Sequence, residues 1–361
     1  MKKLVFSLFI SLCSALTPAL AAERIVNIFN WNDYIDPSVI EDFTRETGIK
    51  VIYDTYESTD MLEARLIANP GDYDLIVPSA AALQRLIQAD ALQLLDRKRL
   101  ANAVNIWPEI DNRLKRFDPN NAHAVNYLWS TIGIGYNAAK LKDRTGKPIA
   151  SWDQALRPEG LKRFSDCGVE IADSPDEILP IALNMLKIDP NSKNIDQLRR
   201  AADLLSGLRR LVKKFDVFDY SNALAFGEAC FAVGRTGEIL QARARAKEIG
   251  PDTDIVAILP NEGSLMILDN LAIPRNAPHV NEAYVFIDYL LRPDVAARNV
   301  KATNYASGVE TARNFLDPAL ANDPALYPDQ ATLARLFTVT SADQATRQNI
   351  NRLWTSVKTG R

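Results

Sequence analysis

The chain has 361 residues, 47% of them hydrophobic and 24% charged, with 42 Lys and Arg against 45 Asp and Glu. That composition excludes an intrinsically disordered chain and leaves room for two domains. The acidic balance argues against a nucleic-acid partner. The opening stretch "MKKLVFSLFISLCSALTPALAAER" combines a basic start, an apolar run and the small-residue sequence Ala19-Leu20-Ala21. It reads as a secretory signal peptide, residues 1–21, cleaved after Ala21. A retained membrane anchor is the weaker reading, because Ser11, Ser14, Thr17 and Pro18 interrupt the apolar run. The bulk of Leu12 before Cys13 argues against a lipid anchor. Cleavage removes Lys2 and Lys3 and no acid, so the exported chain carries 40 basic and 45 acidic side chains, a formal charge of −5. It retains Cys167 and Cys230. In an oxidising compartment that pair suggests one disulfide, two separate buried thiols being the alternative.

Strands and helices then alternate. The apolar run Ile25 to Phe29 predicts a strand, and Asp36-Pro37 a helix N-cap with proline at the first helical position. The intervening "WNDY" lies in a βα loop at the carboxyl end of a parallel strand, where open α/β sheets bind ligands. A flat aromatic, a carboxylate and a phenol suit a small organic cation there. "IKVIYDTY" predicts a strand, the stretch from Ser58 to Gly71 a helix, and "YDLIVPS" a strand that delivers Ser79 into a loop. Two β-rich runs follow between His123 and Asn137, and the charged linker "AAKLKDRTGKPIASW" marks a crossing to a second lobe. There "CGVEIAD", "ACFAVG" and "DIVAIL" read as strands, and Ser174 to Phe215 as a long helix pair. "SLMILDNLAIP" carries the chain back, and helices over Asn281–Tyr289 and Ala342–Lys358 finish it. Two α/β lobes joined by more than one extended crossing make a hinged clamshell, with a single doubly wound domain as the alternative.

Signs of catalysis are sparse. There is no Gly-x-Ser-x-Gly elbow, Walker loop or dinucleotide fingerprint; "GIGYN" lacks the third glycine. His123 and His279 are the two histidines, far apart, with no metal-ligand spacing. The pattern favours a binding protein over an enzyme and calls for no cofactor.

The segments "NWNDYIDPSVIEDFTRETGIKVIYD", "YDLIVPS", "LWSTIGIGYN", "DSPDEILP", "LDNLAIP" and "RLWTSVKTG" together give the mature chain a resemblance to the periplasmic polyamine-binding proteins of ABC importers, nearest to their putrescine-binding branch. The resemblance implies a two-lobed periplasmic binding protein of the type II clamshell class, each lobe a mixed sheet flanked by helices. The lobes would comprise 22–137 plus 268–320, and 138–267 plus 321–361. It also implies a periplasmic monomer that grips an alkyl amine between aromatic rings and carboxylates and delivers it to an inner-membrane permease. Carried over by position, Trp31, Asp33 and Tyr34 form the first binding loop, and Ser79, Glu177, Asp269 and Tyr305 complete the contacts. An ammonium leaving water needs such carboxylates, and its methylenes need ring faces. Bland roles stand beside these: Ser174 to Glu177 spells a capping box, and Asp33 suits a turn.

The sequence also departs from that family. Arg235 and Glu238 stand where the putrescine binders carry a tryptophan and an aspartate; Ile267 replaces an aromatic, Asn32 a small hydroxyl residue and Ala81 a serine. With these, the candidate ligand-binding positions extend to Asn32, Arg235, Glu238 and Ile267. A fixed cation in a dry cleft would repel a diamine unless neutralised. Either Arg235 pairs with Glu238 or swings to solvent and the ligand is an amine, or it faces inward and takes the carboxylate of an ω-amino acid such as 4-aminobutyrate or 5-aminovalerate.

Overall fold

The computed structural model describes residues 23–142, 144, 146–250 and 254–360. The expected signal peptide, with Cys13, lies outside them. Ten strands form the sheet framework: β1 (Ile25–Trp31), β2 (Lys50–Tyr56), β3 (Leu75–Ile76), β4 (Ala124–Asn137), β5 (Val169–Ala172), β6 (Lys214–Asp216), β7 (Phe231–Arg235), β8 (Ile255–Ile258), β9 (Met266–Ala272) and β10 (Ala306–Ser307). The order is β2-β1-β3-β9-β4-β7-β5-β6, with β8 and β10 each added to β4.

At one end, β1 runs parallel to β2 and β3, as the βαβαβ reading of the sequence requires. The connecting helix Pro37–Thr47 starts where expected: the Asp36 carboxylate accepts from the Ser38 amide, Pro37 takes the first helical position, and Gly48 ends the helix at φ 67°. Its Val39 and Phe43, one turn apart, are buried, and the Phe43 ring meets Phe286 edge-on at 4.7 Å. At the other end, β7, β5 and β6 run parallel. There a second core gathers Trp152, Phe164, Phe231 and Trp354, with Phe164 stacked on Phe231 at 4.7 Å.

Strand β4 joins the two ends. From Ala124 to Thr131 it pairs with β9 and β10; from Ile132 to Asn137 it pairs with β7 and β8. The two β-rich runs expected between His123 and Asn137 are therefore one 14-residue strand, buried along nearly its whole length. The chain returns near Leu265 and Met266, where β9 begins its pairing with β4. The Ser130, Thr131 and Thr236 hydroxyls cluster beside the change of partners, with Thr236 Oγ1 3.1 Å from Ser130 Oγ and 3.0 Å from Thr131 Oγ1.

The long helix pair expected to run to Phe215 is shorter. Helices cover Pro175–Met185 and Ile195–Leu205, a 3-10 turn follows, and Lys214–Asp216 is edge strand β6 instead. Three residues beside β5 are too short a run for periodicity to register. Cys167 and Cys230 form a disulfide with Cα atoms 5.6 Å apart. Each cysteine lies close before one of the paired parallel strands β5 and β7, which explains their proximity.

Candidate functional site

The carboxyl ends of β1, β2, β5 and β7 converge on a cleft with two cavities, of about 350 and 260 Å³. Trp31, Arg235 and Asp269 line both. Asn32, Asp33, Tyr34, Glu238 and Tyr305 line the larger; Ser79, Glu177 and Ile267 line the smaller. All eleven candidate positions are thus gathered at one place, though on two sides of it.

Trp31 ends β1. Its indole donates to the Val77 carbonyl at 3.0 Å and packs against Tyr56 with centroids 4.5 Å apart, so the ring is fixed. The next turn exposes Asn32 and Asp33. Asp33 adopts φ 52°, a left-handed conformation that Asp tolerates, and Asn32 donates to Glu57 at 3.3 Å. Tyr34 turns inward: its hydroxyl donates to Asp269 at 2.7 Å and its ring meets Tyr305 edge-on at 5.0 Å. Ser79 caps the helix Ala80–Gln88 by position but makes no side-chain cap bond, and it bridges to Asp269 through the backbone.

Asp269 is 5% exposed in the middle of β9. Burial pushes its carboxyl up to about 6, against the opposing influence of the Tyr34 hydrogen bond and the Arg235 charge. Glu238 is 8% exposed and is pushed up to about 7, again by burial, with Arg235 and the Tyr220 and Tyr305 hydroxyls acting the other way. Its Oε1 accepts from Tyr305 at 3.4 Å, whereas its Oε2 is buried with no hydrogen-bond partner. Burial and the neighbouring acids raise both Tyr34 and Tyr305 well above the usual phenol value, so both rings keep their protons as donors.

Arg235 corrects both pairings considered from sequence. Its Nε and Nη2 donate to one oxygen of Glu177, Oε1, at 2.9 and 2.7 Å. Burial alone would lower the guanidinium, but Glu177 above all holds it well above its ordinary value. The partner is Glu177 and not Glu238, and the side chain remains about 26% exposed. The residue occupies the N-cap of the helix Thr236–Ile249 with φ −66° and ψ 132°, extended backbone that lies off the helical face carrying Glu238. The i,i+3 rule applies only between helical residues. Glu177 is reached instead because β5 and β7 are parallel neighbours, bringing the helix after β5 beside the end of β7. For the same reason Ser174 to Glu177 forms no capping box, and Ser174 makes no side-chain cap bond. The glycines flanking Arg235 allow close approach: a Cβ on Gly234 would lie 2.2 Å from the Tyr220 ring, and one on Gly237 2.4 Å from the Tyr305 ring.

Several cleft residues escaped sequence reasoning. Tyr56 ends β2 in register with Trp31 and Glu57 follows it, so the strand-end rule that picked Trp31 could also have found them. Ser221, Asn222 and Arg245 reach the larger cavity from helices without a recognisable motif. Among the described residues, no group of three or more His, Cys, Asp or Glu is placed to hold a metal ion.

A family model described as "Bacterial extracellular solute-binding protein" matches residues 38–328. The putrescine-binding periplasmic protein PotF of Escherichia coli is 39% identical over 346 residues, 95% of this chain and 94% of that protein. The putrescine-binding periplasmic protein SpuD of Pseudomonas aeruginosa is 37% identical over 343 residues, 94% of each chain. Among solved structures, the spermidine/putrescine ABC transporter substrate-binding protein PotD from Streptococcus pneumoniae superposes with a TM-score of 0.82 at 27% identity, covering 93% of this chain and 99% of that one.

Proposed function

The chain belongs to the bacterial extracellular solute-binding proteins, and we propose that the solute it captures is a short aliphatic amine of the putrescine type. It is a periplasmic substrate-binding protein of an ABC importer, with a membrane permease as its partner. The observation that carries the ligand reading is a cavity lined by two buried carboxyls, Glu238 and Asp269, and walled by Trp31, Tyr34 and Tyr305. Two buried carboxylates are costly without a counter-charge, and an alkylammonium supplies donors and charge while its methylenes lie on the rings. The solute named for PotF and SpuD supports the same class.

The ω-amino-acid alternative needs the Arg235 guanidinium for the ligand carboxylate. Glu177 already accepts from its Nε and Nη2, which favours the amine. We read the protein as a monomer without a catalytic step or a cofactor. We place the hinge in β4 at Thr131 and Ile132 and at the return near Leu265, just ahead of the 137/138 and 267/268 boundaries expected from sequence. The C-terminal segment is shared: Leu333 and Leu336 carbonyls accept from Arg113, whereas the helix Gln344–Thr359 packs on Ile195–Leu205.

Isothermal titration of the mature protein with putrescine, cadaverine and 4-aminobutyrate tests the reading. Binding of a diamine with little heat from 4-aminobutyrate is expected. Tight binding of 4-aminobutyrate with none of putrescine would sink it.

A further inference from the structure

The two cavities meet at Trp31, Asp269 and Arg235. Two of these are fixed parts of the wall: the Trp31 indole is held on the Val77 carbonyl, and the Asp269 carboxylate accepts from Tyr34. The third reaches across on a long side chain and is pinned by Glu177, which lines only the smaller cavity, while Glu238 lines only the larger. We propose that the Arg235–Glu177 ion pair is a partition that fits the cleft to short amines and shuts out longer polyamines.

This assignment rests on the amine reading of the site. An ammonium seated between Asp269 and Glu238 leaves a short methylene chain inside the larger cavity. A longer chain extended past Asp269 meets the guanidinium. Its next ammonium then faces a like charge in a partly dehydrated cleft, and Glu177 beyond it is already engaged by that guanidinium. Beyond the partition, the smaller cavity carries Arg85, Lys193 and Arg347 beside Asp60 and Asp176, so it offers an incoming cation little net attraction while Arg235 remains. Removing the arginine changes both space and charge. The cavities join, and Glu177 becomes a carboxylate without its cation, placed to accept the third ammonium of a triamine.

Titration calorimetry with putrescine and spermidine reads this directly. The mature wild-type protein is expected to bind putrescine at least about tenfold tighter than spermidine, the scale of forgoing one charge-assisted hydrogen bond. Arg235→Ala should improve spermidine relative to putrescine by roughly tenfold or more, and adding Glu177→Gln should abolish that gain. Equal wild-type affinities overturn the partition. So does an Arg235→Ala protein that melts like wild type yet gains nothing for spermidine, or a gain that survives Glu177→Gln. If Arg235→Ala does not fold, the wild-type ratio and the same measurement on Arg235→Leu decide. Failure of both amines to bind the wild-type protein would reject the amine reading itself, a result distinct from any of these.

Discussion

Lowering the pH from 8 to 5.5 is expected to weaken amine binding about a hundredfold. The expectation comes from two buried carboxyls, Glu238, pushed up to about 7, and Asp269, pushed up to about 6. An ammonium needs both as carboxylates, so any proton they hold must leave as the ligand enters. Raised carboxyl values therefore make affinity rise with pH through the window from about 6 to 7 and level off above about 8. At pH 5.5 Glu238 is ionised in about one molecule in thirty and Asp269 in about one in four. Their product is roughly a hundredfold in dissociation constant, about 2.8 kcal/mol. Near pH 7, binding should release about 0.6 proton, most of it from Glu238. Titration calorimetry in buffers of different ionisation enthalpy measures both quantities. Glu238→Gln should leave only the roughly fourfold dependence due to Asp269. A dissociation constant that stays flat between these pH values, or net proton uptake on binding, would refute the argument that these two groups meet the ligand's charge.

Two further expectations concern the scaffold. Amine binding should draw the lobes together about β4 and the return near Leu265, so small-angle scattering should give a smaller radius of gyration at saturation; an unchanged radius would count against closure. The denatured, unreduced mature protein should show no titratable thiol. Because the Cys167–Cys230 bond spans a sequence separation of 63 residues, replacing both cysteines with serine should lower the unfolding free energy by about 4 kcal/mol on a loop-entropy estimate, checked by denaturant titration. Two free thiols in the unreduced protein would dismiss the bridge.

What the sequence made legible and what it hid divide along a physical line. Local signals were sufficient where one segment decides its own structure. Asp36-Pro37 and Gly48 set the ends of the first helix, and the strand-end position of "WNDY" placed Trp31, Asp33 and Tyr34 at the cleft. The acid at the centre of the apolar run of β9, Asp269, is legible in the same way, since an unpaired carboxylate there would be costly, and Tyr34 supplies the partner. The partner of Arg235 was not legible, because it depends on which strands are neighbours. Glu238 is three residues from Arg235 and Glu177 fifty-eight, yet the parallel pairing of β5 with β7 brings the distant acid into contact. The extended N-cap backbone turns the arginine away from the near one. The same register that hides this ion pair from the sequence gives it its consequence. A cation supplied by the chain itself stands, already neutralised, at the junction of the two cavities, leaving Asp269 and Glu238 as the buried carboxyls of the larger one.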